Sequence, residues 1–168
     1  MKKNNFKLAI DGGPKTRAKP MPYREQFGKK ELNAVTQVFK HSWKIKRDFG
    51  YQGIFEKKFS EKFIKFIDSK GFCDVVNSGT SAVYLCVKSL NLKPDDEVIV
   101  SPVSNPGGIM PVALNCKNLV IPDSSPNSFN ISPQNFEKAI TTKTRAAVLT
   151  HLGGHAIDLD PILKLCKK

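Results

Sequence analysis

Apolar residues in this chain follow two different periods, and the change between them divides the sequence. In the first stretch Leu32, Val35, Val38 and Phe39 recur three and four apart, which predicts a helix over 29–41. Phe55, Phe59, Phe63, Phe66 and Ile67 mark a second amphipathic helix over about 54–69, its phenylalanine stripe belonging to a core or an interface. Between them, residues 42–53 (SWKIKRDFGYQG) have no clear period; aromatic and basic, they predict an exposed or partner-facing loop. Ahead of the first helix, Gly12-Gly13-Pro14, Pro20 and Pro22 deny the backbone a helical run, so residues 1–27 read as an extended arm.

From Phe72 onward short apolar runs alternate with helical stripes. A strand over 73–76 leads to a helix over 80–91, and Lys93-Pro94-Asp95-Asp96 is a turn. Residues 97–102 (EVIVSP) form a buried-type strand, followed by a loop and short helix over 103–115 that Pro106 and Pro111 interrupt. A third strand falls at 119–121. Ser132-Pro133 supplies a cap and a first-turn residue for a helix through Ile140. A fourth strand covers 145–149, and Asp160-Pro161 opens a last helix. This alternation predicts an α/β fold: a mostly parallel sheet with helices on both faces. Ligands of such sheets gather at the carboxyl ends of the strands. Three stretches stand there: 77–81, 101–108 and 151–155.

The first of these carries the most chemistry. A short apolar run at Val75 and Val76 meets Asn77-Ser78-Gly79-Thr80-Ser81, and an apolar helical pattern follows. Strand, glycine turn and helix together aim the unbonded N–H groups of a helix N-terminus at an anion. Gly79 allows close approach, and Ser78, Thr80 and Ser81 add hydroxyls. The stretch reads either as a phosphate cradle or as an ordinary strand-to-helix turn with a Ser or Thr cap. His151 and His155 likewise read either as ligand-facing groups or as satisfied strand-end histidines.

Composition narrows the class without deciding it. The chain has 168 residues, enough for a real core, and no apolar run near the ~18 residues of a membrane span. Its N-terminus lacks the apolar stretch of a secretory signal. Cys73, Cys86, Cys116 and Cys166 are scattered without metal-ligand spacing, and three fall in apolar patterns, as reduced thiols of a cytoplasmic protein would. The net charge of +12 raises the question of nucleic acid. Residues 1–70 hold 18 Lys/Arg against 7 Asp/Glu, or +11, while residues 71–168 hold 9 against 8, or +1. The excess is nearly all lysine and is not clustered with aromatic residues, so it reads as a solvated face rather than a nucleic-acid site.

Six separated segments resemble one family. They are Leu8-Ala9-Ile10-Asp11-Gly12-Gly13-Pro14, Phe55-Glu56-Lys57-Lys58-Phe59, and Asn77-Ser78-Gly79-Thr80-Ser81-Ala82. The others are Asp95-Asp96-Glu97-Val98-Ile99-Val100, Asn130-Ile131-Ser132-Pro133, and residues 151–160 (HLGGHAIDLD). In this order and spacing the chain resembles the N-terminal part of the DegT/DnrJ/EryC1/StrS aminotransferases, pyridoxal-phosphate enzymes that mostly aminate nucleotide-linked keto-sugars. The resemblance implies a fold-type-I large domain over residues 28–168. It implies that Gly79, Thr80 and Ser81 hold the cofactor phosphate. It also places Asn105 where an aromatic ring usually stacks on the pyridine ring; an amide offers less contact area there than Phe or Trp. The implied partners are a keto-sugar, an amino-acid donor, and either a second copy of the chain or the remainder of the enzyme.

Family members run to more than twice this length. The aspartate that pairs with the pyridine nitrogen and the Schiff-base lysine belong to later segments, which nothing here matches. The first strand, 73–76, would lie at one edge of a seven-stranded sheet and the other three toward the opposite edge. Its backbone and apolar face would then stay exposed without a partner. The expectation is an N-terminal fragment, inactive alone; a non-catalytic remnant or regulatory subunit paired with a full-length homologue is the alternative, and a basic nucleic-acid-binding module a third. The purified 168-residue chain should therefore show no transamination with pyridoxal phosphate. A visible cofactor band that borohydride abolishes only when one particular lysine is present would overturn that expectation.

Overall fold

In the computed structural model, residues 7–167 are described, so the first six residues of the arm lie outside them. The chain divides into two compact units, one reaching to Phe59 and the other starting at Ser60.

The first unit begins with irregular, exposed chain to Gly28, broken by one 3-10 turn at Ala9–Asp11. Helix α1 (Lys29–Ile45) follows, running past His41 into the residues expected to be loop. Glu31 Oε2 accepts the Gly28 N–H at 2.7 Å, which satisfies one orphan donor at the helix start. Lys46 ends the helix in the left-handed conformation (φ +53°). Phe39 packs edge-on against Phe49, with ring centroids 5.4 Å apart, and His41 against Phe55 at 5.7 Å. Leu32, Val35 and Trp43 remain largely exposed.

Helix α2 (Ile54–Phe66) carries the chain from the first unit into the second. Phe63 and Phe66 are exposed, so this part of the phenylalanine stripe is not core within the second unit. The second unit then places α3 (Gly79–Ser89), β1 (Glu97–Val100), α4 (Pro106–Asn115) and β2 (Asn118–Val120) in order. They are followed by α5 (Pro133–Ala139), β3 (Thr144–Val148) and α6 (Leu159–Leu165). The sheet is parallel, in the order β2-β1-β3. Val98 aligns with Leu119 on one side and Ala146 on the other; Ile99 aligns with Val120 and Ala147.

Alternation along β1 builds both sides of the core. Val98 and Val100 point to one face, where Val87 of α3, Val112 of α4 and Cys116 close over them. Ile99 points to the other, against Ile131, Phe136 of α5, Ile157 and Ile162 of α6. All three β1 side chains are essentially inaccessible, and the helices lie on both faces as the alternation predicts. A polar belt fixes the amino end: Asp96 Oδ2 accepts Lys93 N–H at 2.7 Å, and its Oδ1 lies 3.3 Å from Arg145 Nε. Arg145 is half exposed, so that ion pair contributes little alone.

Two expectations are corrected. The strand over 73–76 does not form. Among the described residues the sheet consists of β2, β1 and β3 alone; Phe72 is fully exposed, and Asp74 Oδ1 accepts the Val75 N–H at 2.9 Å in place of a strand partner. The loop and helix expected over 103–115 are both present, but the helix is not interrupted and runs unbroken as Pro106–Asn115. Pro106 occupies the first turn, where its missing N–H costs nothing, and Pro111 is buried within the helix at the loss of a single backbone bond.

Ile99→Ala should lower unfolding stability by about 2–5 kcal/mol. Val75→Ala, at a position 43% exposed, should change it by no more than about 0.5 kcal/mol. Urea unfolding of the two variants measures both; similar losses would mean that 73–76 is buried after all.

Candidate functional site

The loop that leaves the carboxyl end of β1 meets the start of α3 through Gly107 and the loop after β3 through Ser104. Ser78 caps α3, its Oγ accepting the Ser81 N–H at 3.1 Å. Ser81 Oγ donates to Asn77 Oδ1 at 2.8 Å, so both the N–H and the hydroxyl of Ser81 are engaged inside the turn. Gly79 and Thr80 head the helix, where helical geometry offers their N–H groups no carbonyl. Both residues are exposed, and a Cβ added at Gly79 would touch nothing within 4 Å. The space in front of this turn is open.

A second helix start stands beside it. Asn105 caps α4, its Oδ1 accepting the Gly108 N–H at 3.1 Å. Gly107 then passes so close to α3 that a Cβ there would lie 2.6 Å from Thr80 Oγ1 and 3.2 Å from Asn105 Oδ1. Gly108 is as constrained on its other side, 2.6 Å from Ser104 Oγ. A side chain at either position would have to displace a neighbouring hydroxyl, so glycine is favoured there by approach rather than by φ. Ser104 Oγ and Thr150 Oγ1 share a hydrogen bond of 2.9 Å, and Thr150 N–H donates to the buried Ser101 Oγ at 2.7 Å. These bonds tie the end of β3 to the loop that leads into α4.

Thr80 and Asn105 are thus brought together through Gly107, with Gly79 one residue away on α3. Ser81 faces inward to Asn77 and Ser78. Neither 77–81 nor 101–108 contains an ionisable residue, so any pull on an anion comes from N–H groups, hydroxyls and two helix dipoles. His151 Nδ1 accepts the Ile157 N–H at 2.9 Å, an arrangement of the satisfied strand-end kind. Thr150 was not singled out from the sequence, and Ser101, Ser104 and Gly107 only as members of the 101–108 stretch. Nothing local in the sequence marks a hydroxyl pair 46 residues apart.

Gly107→Ala should destabilise the fold, and Thr80→Ala should relieve part of that loss by removing Oγ1. The double-mutant cycle should give a coupling of about 0.5–3 kcal/mol. Gly79→Ala, in open space at a helix start, should be nearly neutral. Additive losses for Gly107 and Thr80 would show that the two helix starts are not in contact.

Comparison with known proteins bears on the same segments. The chain is 32% identical over 141 residues to the spore coat polysaccharide biosynthesis protein SpsC of Bacillus subtilis, covering 84% of this chain and 34% of that protein. It superposes with a TM-score of 0.74 and 27% identity on an aminotransferase from Psychrobacter cryohalolentis, covering 88% of this chain and 36% of the other. A GDP-4-keto-6-deoxymannose-3-dehydratase solved with a trapped PLP-glutamate adduct matches with a TM-score of 0.74 and 25% identity, covering 84% and 36%. The chain therefore spans about a third of the length of each. With the family's sequence model matching residues 25–168, the chain belongs to the DegT/DnrJ/EryC1/StrS aminotransferase family.

Proposed function

We propose that this chain supplies the cofactor-phosphate side of a pyridoxal-phosphate enzyme that transfers an amino group from an amino acid to a nucleotide-linked keto-sugar. The observation that carries it is the pairing of two capped helix starts across Gly107, at the carboxyl end of a parallel sheet. That site is uncharged, lined by N–H and hydroxyl donors and open in front of Gly79, which suits a phosphate monoester, while the close contact at Gly107 sets the two helix starts side by side. The family and the matched structures support the cofactor and the sugar class.

In this reading Gly79 and Thr80 donate their N–H groups to the phosphate, and Thr80 adds its hydroxyl. Ser81 holds the turn in shape through Asn77 and Ser78, and its hydroxyl reaches the phosphate only by leaving Asn77. Asn105 sets the α4 start and presents an amide edge beside the pyridine ring in place of an aromatic face. Pyridoxal phosphate, when bound, supplies the electron sink that amino-group transfer requires. Residues 28–168 form part of the enzyme's large domain and residues 1–27 its arm. A second copy of the chain, or the remainder of the enzyme, completes the assembly. Because one matched structure is a sugar dehydratase, product analysis is the separating observation: transamination yields an amino-sugar and consumes the donor.

Titration of 15N-labelled protein with inorganic phosphate and then pyridoxal phosphate should move the amides of Gly79, Thr80, Gly107 and Gly108. Thr80→Ala should weaken that response several-fold, because one hydroxyl donor is removed while the N–H groups stay. Shifts confined to the lysine-rich residues 1–70 would sink the assignment.

A further inference from the structure

Asn130 lies in the loop before α5, and only 7% of its surface is exposed. Its own backbone is held on both sides. The N–H donates to Ser128 Oγ at 3.0 Å, the C=O accepts the Ser125 N–H at 2.9 Å, and Ile131 next to it is core. From this fixed base the side-chain amide reaches the loop after β3. Nδ2 donates to the His155 C=O at 2.8 Å, and Oδ1 accepts the Leu152 N–H at 3.3 Å. Between those two points stand Gly153 and Gly154, both left-handed (φ +61° and +82°), with nothing within 4 Å of an added Cβ. The two glycines sit in a short 3-10 turn closed by Gly154 N–H to His151 C=O (3.1 Å) and His155 N–H to Leu152 C=O (3.0 Å), and the Asn130 amide adds a tertiary anchor at each end of it.

Downstream, Ile157 is buried in the same core layer as Ile131, and its N–H donates to His151 Nδ1. An accepting Nδ1 places the proton of the neutral imidazole on Nε2. The amide bridge and the ring are therefore two halves of one clamp. One spans Leu152 to His155; the other joins His151 to Ile157.

We infer that Asn130 is a positioning residue: by bridging Leu152 and His155 across the two glycines, it holds the exposed His151 ring at the carboxyl end of the sheet in its Nε2–H form. In that form His151 offers a hydrogen-bond donor to an oxygen acceptor, such as a sugar hydroxyl or carbonyl. For the nature of that ligand the inference rests on the proposed function. The bridge and the ring state belong to the chain itself and are tested without cofactor.

Long-range 1H–15N correlation of the 168-residue chain should show His151 as the Nε2–H tautomer. Asn130→Ala should convert that signal to a tautomer mixture and speed amide exchange at Leu152 and Ile157 about tenfold, with the β1 amides unchanged. Asn130→Asp keeps the acceptor and loses the donor, so Leu152 should stay protected while Ile157 is released; this variant carries the test if the alanine variant fails to fold. A wild-type Nδ1–H tautomer would overturn the inference. So would an unchanged ring in the variants, or β1 amides that accelerate in the same proportion as the loop. Loss of phosphate binding at Thr80 with these readouts intact would count against the proposed function alone.

Discussion

Burial of β1 on both faces is the constraint on which the second unit depends. A parallel strand has no hairpin to hold it, so its pairing must be enforced by what covers it. Here Val98 and Val100 demand the α3–α4 layer, and Ile99 demands the α5–α6 layer. Once those layers are in place, the direction of β1 is fixed and so is the end at which its loop emerges. That end carries Ser101, Ser104 and Asn105, and the start of α4 is set directly beside that of α3. The candidate site is thus a by-product of core packing. Its donors are backbone groups whose aim follows from helix direction, not from flexible side chains.

The same logic explains how a site with no formal charge would attract the anion proposed for it. Two helix starts present partial positive charge from the same side, and capping by Ser78 and Asn105 satisfies some orphan N–H groups while leaving others at the front. Gly107 and Gly108 then serve spacing alone, letting two helices and a hydroxyl pair approach within the volume one methyl group would occupy. Hydroxyl bonds between Ser104 and Thr150 and between Ser101 and Thr150 make this arrangement rigid across two strands.

Open surfaces mark where this packing stops. β3 pairs with β1 on one edge, and among the described residues its other edge has no strand beside it. The 73–76 segment, whose apolar run predicts a strand, pairs with none of the three strands, and Val75 in it is 43% exposed. Phe66, 85% exposed, shows the same effect on a helix: the pattern specifies an apolar face but not what covers it. In each case local sequence carries a preference that only a neighbour can satisfy.

Periodicity in the sequence determined the alternation of β1 to β3 with α3 to α6, the parallel sheet and the helices on both faces, because side-chain spacing and backbone direction are local properties. The Ser132 cap, and a Ser or Thr cap within 77–81, were legible for the same reason, and so was the emergence of the 101–108 loop at the carboxyl end of β1. Tertiary structure alone decided the rest. That Thr80 meets Gly107, that Ser104 bonds Thr150, and that Asn130 spans Leu152 and His155 are contacts between residues 22 to 46 positions apart or on separate helices. No period or motif encodes such distances; they arise only when a strand buried on both faces draws its loops to one end.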